Sequence, residues 1–276
     1  MAESLKNLDK TGALFSIVGL FLLIYGASTF ELGKTPKILF FLGFAFLVLF
    51  VVFELSTQNP LLDVKLFVKI PQFGFSNLAA LINYSCTFSA SYLLSLYLQI
   101  VKAIPSQFAG TVLILQPISQ VITSLISGRA SEKIEPRKLA TAGMALTTAG
   151  LFIFSLFLSK TNIVFVIINL IIMGVGFGLF SSPNTNVVMS SVPQSLYGAA
   201  SSTISVMRVM GQAFSMAIVS FIFSLYLKGA KLSHENYLMI LKSMKISFFV
   251  FSILSIAGIV ASIKRENIYK TEENPN

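Results

Sequence analysis

Long apolar stretches follow one another along the chain, separated by short segments that carry most of the charge. A helix needs about 20 apolar residues to cross the ~30 Å hydrocarbon core of a bilayer, because each residue adds ~1.5 Å. At that length the sequence predicts eight spanning helices, at about 11–30, 38–56, 73–101, 106–128, 138–159, 162–183, 197–227 and 243–263. The fold class predicted is therefore an all-α integral membrane protein.

Two of these stretches need comment. The third, 73–101, contains no charged residue and is long enough to span with tilt. The second contains Glu54 near its end, where we expect the carboxylate to reach the lipid headgroups.

The basic residues between the stretches predict how the chain is oriented. Cytoplasmic loops are enriched in Lys and Arg, and the densest basic loop, residues 128–138, lies on the same side as both termini if there are eight spans. We therefore expect a multi-pass protein of the cell membrane with both termini in the cytoplasm. The first ten residues alternate in charge and precede a span with no small-residue cleavage site, so a cleaved signal peptide is not expected.

Composition narrows the function classes. Charged residues make up 11% of the chain, against about 25% in soluble domains. The net charge of +9 is scattered among the predicted spans, which suggests contact with anionic lipid rather than a nucleic-acid partner. The single cysteine, Cys86, excludes an intrachain disulfide, and the single histidine, His234, has no ligand spacing around it. No metal, cofactor or enzyme activity is predicted.

The segment "GVGFGLFSSPN", residues 174–184, carries three glycines on alternate positions. A dinucleotide-binding fingerprint would need Gly-x-Gly-x-x-Gly followed by an acid about 20 residues on, and neither is present. Gly174 and Gly178 instead lie four residues apart on one helix face, with Gly176 nearby. Small residues at this spacing let transmembrane helices approach closely, so we predict a packing role. Pro183 is expected to end or kink the helix and begin a loop.

Polar side chains inside the predicted spans are candidates for a pathway through the protein, because such groups usually face protein or a water-filled cavity. Two pairs among them are four residues apart and share a helix face. The candidates for lining a substrate pathway are Asn83, Gln99, Gln116, Gln120, Arg208 and Gln212. Interhelical hydrogen bonding is the alternative role for the amides.

Arg208 differs from the amides because it stays charged at any physiological pH. Between 73 and 263 the acidic residues lie only in loops. Two interpretations stay open: Arg208 caps carbonyls or snorkels toward the cytoplasm, or it faces an acid on another polypeptide. Proton-driven transport usually needs a buried carboxylate, so either the protein is not proton-coupled or the carboxylate lies elsewhere.

Four segments in order resemble a known family: "YLLSLYLQIVKAIPSQFAGTVLILQPISQ", "SGRASEKIEPRKL", "GVGFGLFSSPNTNVVMSSVP" and "GAASSTISVMRVMGQAFSMAI". Together they resemble the C-terminal half of major facilitator transporters, in particular the fourteen-span drug:proton antiporters. The resemblance implies two extra spans in 1–56, a cytoplasmic linker in 57–72, a six-helix transporter bundle in 73–263 and a cytoplasmic tail in 264–276.

The second of these segments resembles the family's cytoplasmic signature between two spans, where a glycine, an acid and several bases brace neighbouring helices. The resemblance implies a gating role for Gly128, Arg129, Glu132, Lys133, Arg137 and Lys138. Glu135 stands where the family usually has glycine, although Glu135 followed by Pro136 is a reasonable helix start. A plain basic loop is the alternative.

The resemblance implies export of small lipophilic, often cationic compounds in exchange for protons. It places six further spans, with the membrane carboxylates, before the region that this chain resembles. We therefore expect a six-span N-terminal half on another chain, or one that is missing from a truncated product. The alternative is an integral-membrane interaction subunit without transport of its own.

Overall fold

The computed structural model describes residues 9–57, 64–157, 162–230 and 232–264, and within these ranges it is helical with no strand. The ten α-helices are α1 (Lys10–Ser28), α2 (Lys34–Ser56), α3 (Val64–Lys69), α4 (Pro71–Leu96), α5 (Ser106–Leu113), α6 (Leu115–Ala130), α7 (Pro136–Phe157), α8 (Ile163–Ser190), α9 (Tyr197–Leu227) and α10 (Tyr237–Ile263). A π-helical segment, Tyr97–Val101, extends α4. The all-α prediction is confirmed.

Seven helical segments of the described residues are long and apolar enough to cross a membrane. They correspond to seven of the eight predicted stretches, with α5 and α6 together forming one. The exception is the stretch 73–101. It forms α4, which has the length but carries many serine, asparagine and tyrosine side chains that reduce its hydropathy. Several of these, including Ser76, Asn77 and Asn83, are fully buried, so α4 is an inner helix whose polar groups face protein.

The helices form two packed groups. Helices α1 and α2 make an antiparallel pair, and α1 packs on α9. The six-helix part has α4 against α9 and α10, α6 against α8, and α7 against α8 and α10. Its largest buried cluster includes Leu93, Tyr97, Phe154, Met173 and Phe248.

Local signals explain where several helices begin. Asp9 caps α1, since its carboxylate accepts a 2.8 Å hydrogen bond from the Gly12 amide. Pro136 occupies the first position of α7, as the sequence predicts. Pro117 lies near the start of α6, where its missing N–H interrupts the helical ladder, and this position explains why α5 ends at Leu113.

The prediction that the helix ends at Pro183 and passes into a loop is wrong, because α8 continues to Ser190 with Pro183 in its interior. The other predicted outcome, a kink at Pro183 within the helix, stays a prediction. Proline removes one backbone hydrogen bond, and in membrane helices neighbouring hydroxyls can supply replacements for freed carbonyls. Here the Ser127 hydroxyl of α6 donates a 2.8 Å hydrogen bond to the Gly178 carbonyl, close to the interrupted position. The carbonyl that Pro183 leaves without a backbone donor is that of Leu179, one residue further on, and α8 stays helical across it.

Two helix starts differ from the predicted stretches. Helix α4 begins at Pro71 rather than at 73, and the short helix α3 precedes it within the predicted linker 57–72. Helix α10 begins at Tyr237 rather than at 243, and Lys242 lies within it, 5.2 Å from the centroid of the Tyr226 ring. Long lysine side chains near helix ends can extend to the polar surface. Residues 1–8, most of the predicted tail 264–276, and residues 58–63 lie outside the described residues.

Candidate functional site

A cavity of about 260 Å³ lies among four helices of the six-helix part. Helix α4 contributes residues at spacings of three and four, which places them on one helix face. Helices α8 and α9 each contribute a pair four residues apart. The nine lining residues are Tyr84, Thr87, Phe88, Ser91, Gln120, Phe177, Ser181, Arg208 and Gln212.

Arg208 and Tyr84 are the central contact of this cavity. The guanidinium carbon lies 5.0 Å from the Tyr84 ring centroid, and Nη2 donates a 3.2 Å hydrogen bond to the Tyr84 hydroxyl. The ring packs in turn against Phe177, with centroids 5.5 Å apart. Neither sequence interpretation of Arg208 therefore describes its observed contact, which is an aromatic ring on a helix 124 residues away.

Close contact between α4 and α9 brings these two residues together. A Cβ placed on Gly211 would lie 2.6 Å from the Leu81 carbonyl oxygen, so only glycine allows this separation. The Ser85 hydroxyl also donates a 2.8 Å hydrogen bond to the Gly211 carbonyl. Arg208 and Gln212 flank Gly211 on α9, and the close contact holds them beside the polar face of α4.

The cavity is open on one side. Arg208 is exposed, and Phe88 is 38% exposed, although both line the cavity. Arg208 is the one charged residue among the nine that line it. The site is therefore a polar and aromatic wall with a single positive charge.

Only some of the residues that the sequence predicts to line a substrate pathway lie at this cavity. Gln120, Arg208 and Gln212 line the cavity. Gln116 lies behind it, with Oε1 3.1 Å from the hydroxyl of the lining residue Ser91. Asn83 is fully buried and is not among the lining residues.

Gln99 does not join this group, because it is exposed in the π-helical segment and donates to the Ser95 hydroxyl. Gln99 comes eight residues after Ser91, the last α4 residue that lines the cavity, so it lies about 12 Å farther along the helix. The sequence candidates omitted Tyr84, Thr87, Phe88, Ser91, Phe177 and Ser181, although the α4 spacing could have indicated the first four.

The glycines of α8 lie at two interfaces. A Cβ on Gly178 would lie 2.6 Å from the Gln120 carbonyl oxygen of α6, and a Cβ on Gly174 would contact the Gln116 carbonyl. Gly176 faces the other way: a Cβ placed on it would lie 2.8 Å from the Gly143 carbonyl oxygen of α7. Alternating glycines thus let α8 pack tightly between two helices, and this packing fixes Gln120 at the cavity.

The basic loop after α6 is organised by a different acid from the one expected. Glu135 pairs with Arg137 at 2.9 Å and with Lys138 at 3.6 Å, whereas Glu132 is exposed. Arg137 also donates a 3.3 Å hydrogen bond to the Ile263 carbonyl at the end of α10.

The remaining members of the predicted signature are more peripheral. Arg129 and Lys133 are exposed, and a Cβ on Gly128 would lie 2.9 Å from the Ser182 hydroxyl. A contact that the sequence did not suggest runs from the Asn186 amide to the Ser131 hydroxyl, at 3.0 Å. The loop is therefore joined to α8 as well as to α10.

The expectation that Glu54 reaches the headgroups is wrong, because this carboxylate is 1% exposed. It lies beside Gly12 of α1, close to Asp9. A Cβ placed on Gly12 would lie 2.6 Å from Glu54 Oε1 and would also contact the Asp9 carboxylate. A buried carboxylate thus exists in the α1–α2 pair, but it does not line the cavity.

His234 and Cys86 have structural contacts. His234 is exposed, and its Nδ1 donates a 2.9 Å hydrogen bond to the Ile100 carbonyl. Cys86 is a buried free thiol. Within the described ranges no cluster of three or more potential metal ligands occurs.

Comparison with known proteins assigns the family. The sequence signature of the Major Facilitator Superfamily matches residues 76–276, which is most of the chain. The chain belongs to the Major Facilitator Superfamily. Its members are membrane transporters, and the matched region includes all four helices that line the cavity.

Superfamily relatives differ in what they carry. The chain is 28% identical over 222 residues to the riboflavin transporter RibZ of Clostridioides difficile, covering 79% of this chain and 48% of the relative. It is 24% identical over 181 residues to the multidrug efflux pump LfrA of Mycolicibacterium smegmatis, covering 66% and 36%. It is 26% identical over 176 residues to the lincomycin resistance protein LmrB of Listeria monocytogenes, covering 64% and 37%. The chain spans about half the length of the first curated relatives it matches, or less.

Proposed function

We propose that this chain forms one wall of the substrate pathway of an exporter of amphipathic aromatic compounds, a drug efflux protein of the Major Facilitator type. The observation that supports this proposal is the open cavity around Arg208, to which four helices contribute hydroxyl, amide and aromatic groups. The aromatic rings of Tyr84, Phe88 and Phe177 can stack on a flat apolar ligand, and the hydroxyl, amide and guanidinium groups around them can bind its hydrogen-bonding groups.

The second wall would come from six further spans, on another chain or elsewhere in a longer protein. Transporters of this superfamily bind substrate near the bilayer midplane between two helical halves, which rock around the site. The open side of the cavity, where Arg208 and Phe88 are exposed, is the surface that such a half would cover. Proton antiport would need a carboxylate on that second wall, because none lines this one.

The charge of the cavity refines the substrate class. The resemblance implies cationic compounds, but Arg208 repels a cation in a region of low dielectric constant and attracts neutral or anionic groups. Aromatic compounds with carbonyl acceptors would stack on Tyr84 or Phe177 and accept hydrogen bonds from Arg208. Riboflavin, which the name of one relative gives as its substrate, is an uncharged aromatic compound of this kind.

Fluorescence titration of the purified chain in phosphatidylcholine nanodiscs tests the proposal. Riboflavin should bind saturably, and Arg208→Gln should weaken binding by about tenfold, the effect of losing a charge-assisted hydrogen bond. Arg129→Gln removes an exposed charge away from the cavity and serves as the matched control.

Ethidium, an aromatic cation, should bind more weakly than riboflavin and should gain affinity in Arg208→Gln. Absence of saturable binding by both probes would contradict the proposed pathway. That result would favour a membrane subunit without transport of its own.

A further inference from the structure

A second and larger cavity lies away from the Arg208 site, between the α1–α2 pair and the six-helix part. It has a volume of about 620 Å³, and every residue that lines it is apolar or glycine. Val51 comes from α2, Phe67 from α3, Leu78 from α4 and Met210 from α9. We call it the linker groove, because α3 of the linker forms one of its sides.

The dimensions of the linker groove match a lipid chain. Its α4 side runs from Pro71 to Leu81, which is about 15 Å at the rise of an α-helix. That distance is half of the ~30 Å hydrocarbon core, the depth of one leaflet. The α4 side of the groove, which starts at the linker end of α4, is therefore about as long as one leaflet is deep.

Helix α3 supplies charge at the outer end of the groove. Val64 and Phe67 of α3 line the groove, and Val68 on the adjoining face is 80% exposed. Lys65 and Lys69, four residues apart on one face, are both exposed. A short helix with apolar residues toward the groove and lysines on another face is typical of segments that lie at the membrane surface.

Close packing fixes α3 against the groove. A Cβ on Gly74 of α4 would lie 2.5 Å from the Phe67 carbonyl oxygen, so glycine is needed for α3 to lie on α4 as it does. Leu66 is buried on the opposite side, in a cluster with Val188 and Ile204. The lysines are thus held on a firmly packed helix beside the groove rather than on a free linker.

We propose that the linker groove binds an anionic phospholipid, with one acyl chain in the groove and the phosphate at Lys65 and Lys69. The apolar lining accepts the chain, and basic residues next to the membrane surface attract anionic headgroups. Met207 and Met210 also line the groove, and flexible methionine side chains adapt to chains of different shape. The bound lipid would fill the space between α2 and the α4–α9 face, and so join the α1–α2 pair to the bundle.

Native mass spectrometry of the purified full chain, released from detergent with equal amounts of dioleoyl phosphatidylglycerol and dioleoyl phosphatidylcholine, tests this site. The two lipids have the same acyl chains, so any difference in retention comes from the headgroup. The wild-type chain should retain phosphatidylglycerol preferentially. Lys65→Gln and Lys69→Gln should each reduce that preference by about fivefold, and the double variant should abolish it.

Two matched controls separate the groove from general lipid contact. The double variant Lys133→Gln/Lys264→Gln removes two other exposed lysines and should keep the wild-type preference. Leu78→Trp fills the groove and should reduce retention of both lipids, whereas Leu125→Trp, on an α6 side chain that is 68% exposed, should not. Thermal unfolding of each variant shows whether it is folded.

Three results would overturn the proposal. One is equal retention of the two lipids by the wild-type chain. Another is an unchanged preference in the Lys65→Gln/Lys69→Gln variant, which would mean that the groove takes an uncharged lipophile. The third is displacement of the lipid by inorganic phosphate, which would show that charge alone is recognised and that the groove is not used.

Discussion

The guanidinium of Arg208 lies over the ring of Tyr84, 5.0 Å from its centroid, at the open side of the cavity. A charge inside a membrane protein normally pairs with another ionisable group or with carbonyls, and here an aromatic ring takes that role. Arg208 is exposed and lines the cavity, so a ligand that enters from the open side can reach its guanidinium.

The ring of Tyr84 should matter more to binding than its hydroxyl. We expect Tyr84→Leu to weaken riboflavin binding by about fivefold, because the cation–π contact that positions Arg208 is lost. Tyr84→Phe keeps the ring and should change the dissociation constant much less. Tyr92→Phe, on the same helix but outside this cavity, is the control. Equal effects of Tyr84→Phe and Tyr84→Leu would contradict a positioning role for the ring.

The orientation of the chain can be measured by cysteine labelling. In a Cys86→Ala background, a cysteine at Lys133 should resist an impermeant thiol reagent added to intact cells, because the positive-inside rule places this loop in the cytoplasm. A cysteine at Glu235 should react. Both side chains are exposed, so accessibility to solvent is matched. Stronger labelling at position 133 than at 235 would reverse the predicted topology.

Helix contacts at Gly178 should not tolerate a side chain. Gly178→Ala should reduce the free energy of unfolding by about 1–3 kcal/mol through overpacking, because the new Cβ would meet the α6 backbone. Gly178→Leu should prevent folding. Gly110→Ala introduces the same methyl group where nothing lies within 4 Å and should be neutral or slightly stabilising. Denaturation in mixed micelles measures all three, and a stable Gly178→Leu protein would show that α8 can move away from α6.

Glu135, and not Glu132, should stabilise the loop between α6 and α7. Glu135→Gln should destabilise the protein by about 0.5–1 kcal/mol at low salt and by less at high salt, as for a partly exposed ion pair. Glu132→Gln also removes one negative charge from the loop, but at an exposed position, and should leave the free energy of unfolding unchanged. The measurement is thermal unfolding at two salt concentrations. A larger effect of Glu132→Gln would show that Glu132, the acid that the family resemblance implies, stabilises the loop instead.

The chain by itself should insert and fold but not drive transport. Alternating access needs two helical halves that move around the site, and the cavity here has one wall. Purified chain in riboflavin-loaded liposomes with an imposed pH gradient should therefore show no riboflavin efflux above that of protein-free liposomes. Efflux that requires both the gradient and Arg208, with Arg208→Ala as the comparison, would mean that these residues form a complete transporter.

The sequence by itself determined seven of the segments that are long and apolar enough to cross a membrane and where glycines would bring helices together. Both are local properties: a span is recognised by its length and apolar composition, as at 38–56, and close packing by small residues four apart, as at Gly174 and Gly178. Such features depend on neighbours along the chain and need no knowledge of what lies across the bundle.

Only the tertiary structure decided which polar side chains share a site. Arg208 and Tyr84 are 124 positions apart, and their contact depends on how α4 and α9 are rotated about their axes. Packing of α1 on α2 buries Glu54. Pro183 lies inside α8, which packs against α6 and α7 on either side of it and continues to Ser190. The position of a residue along an apolar stretch sets its depth in the membrane, but the direction of its side chain follows from packing between helices.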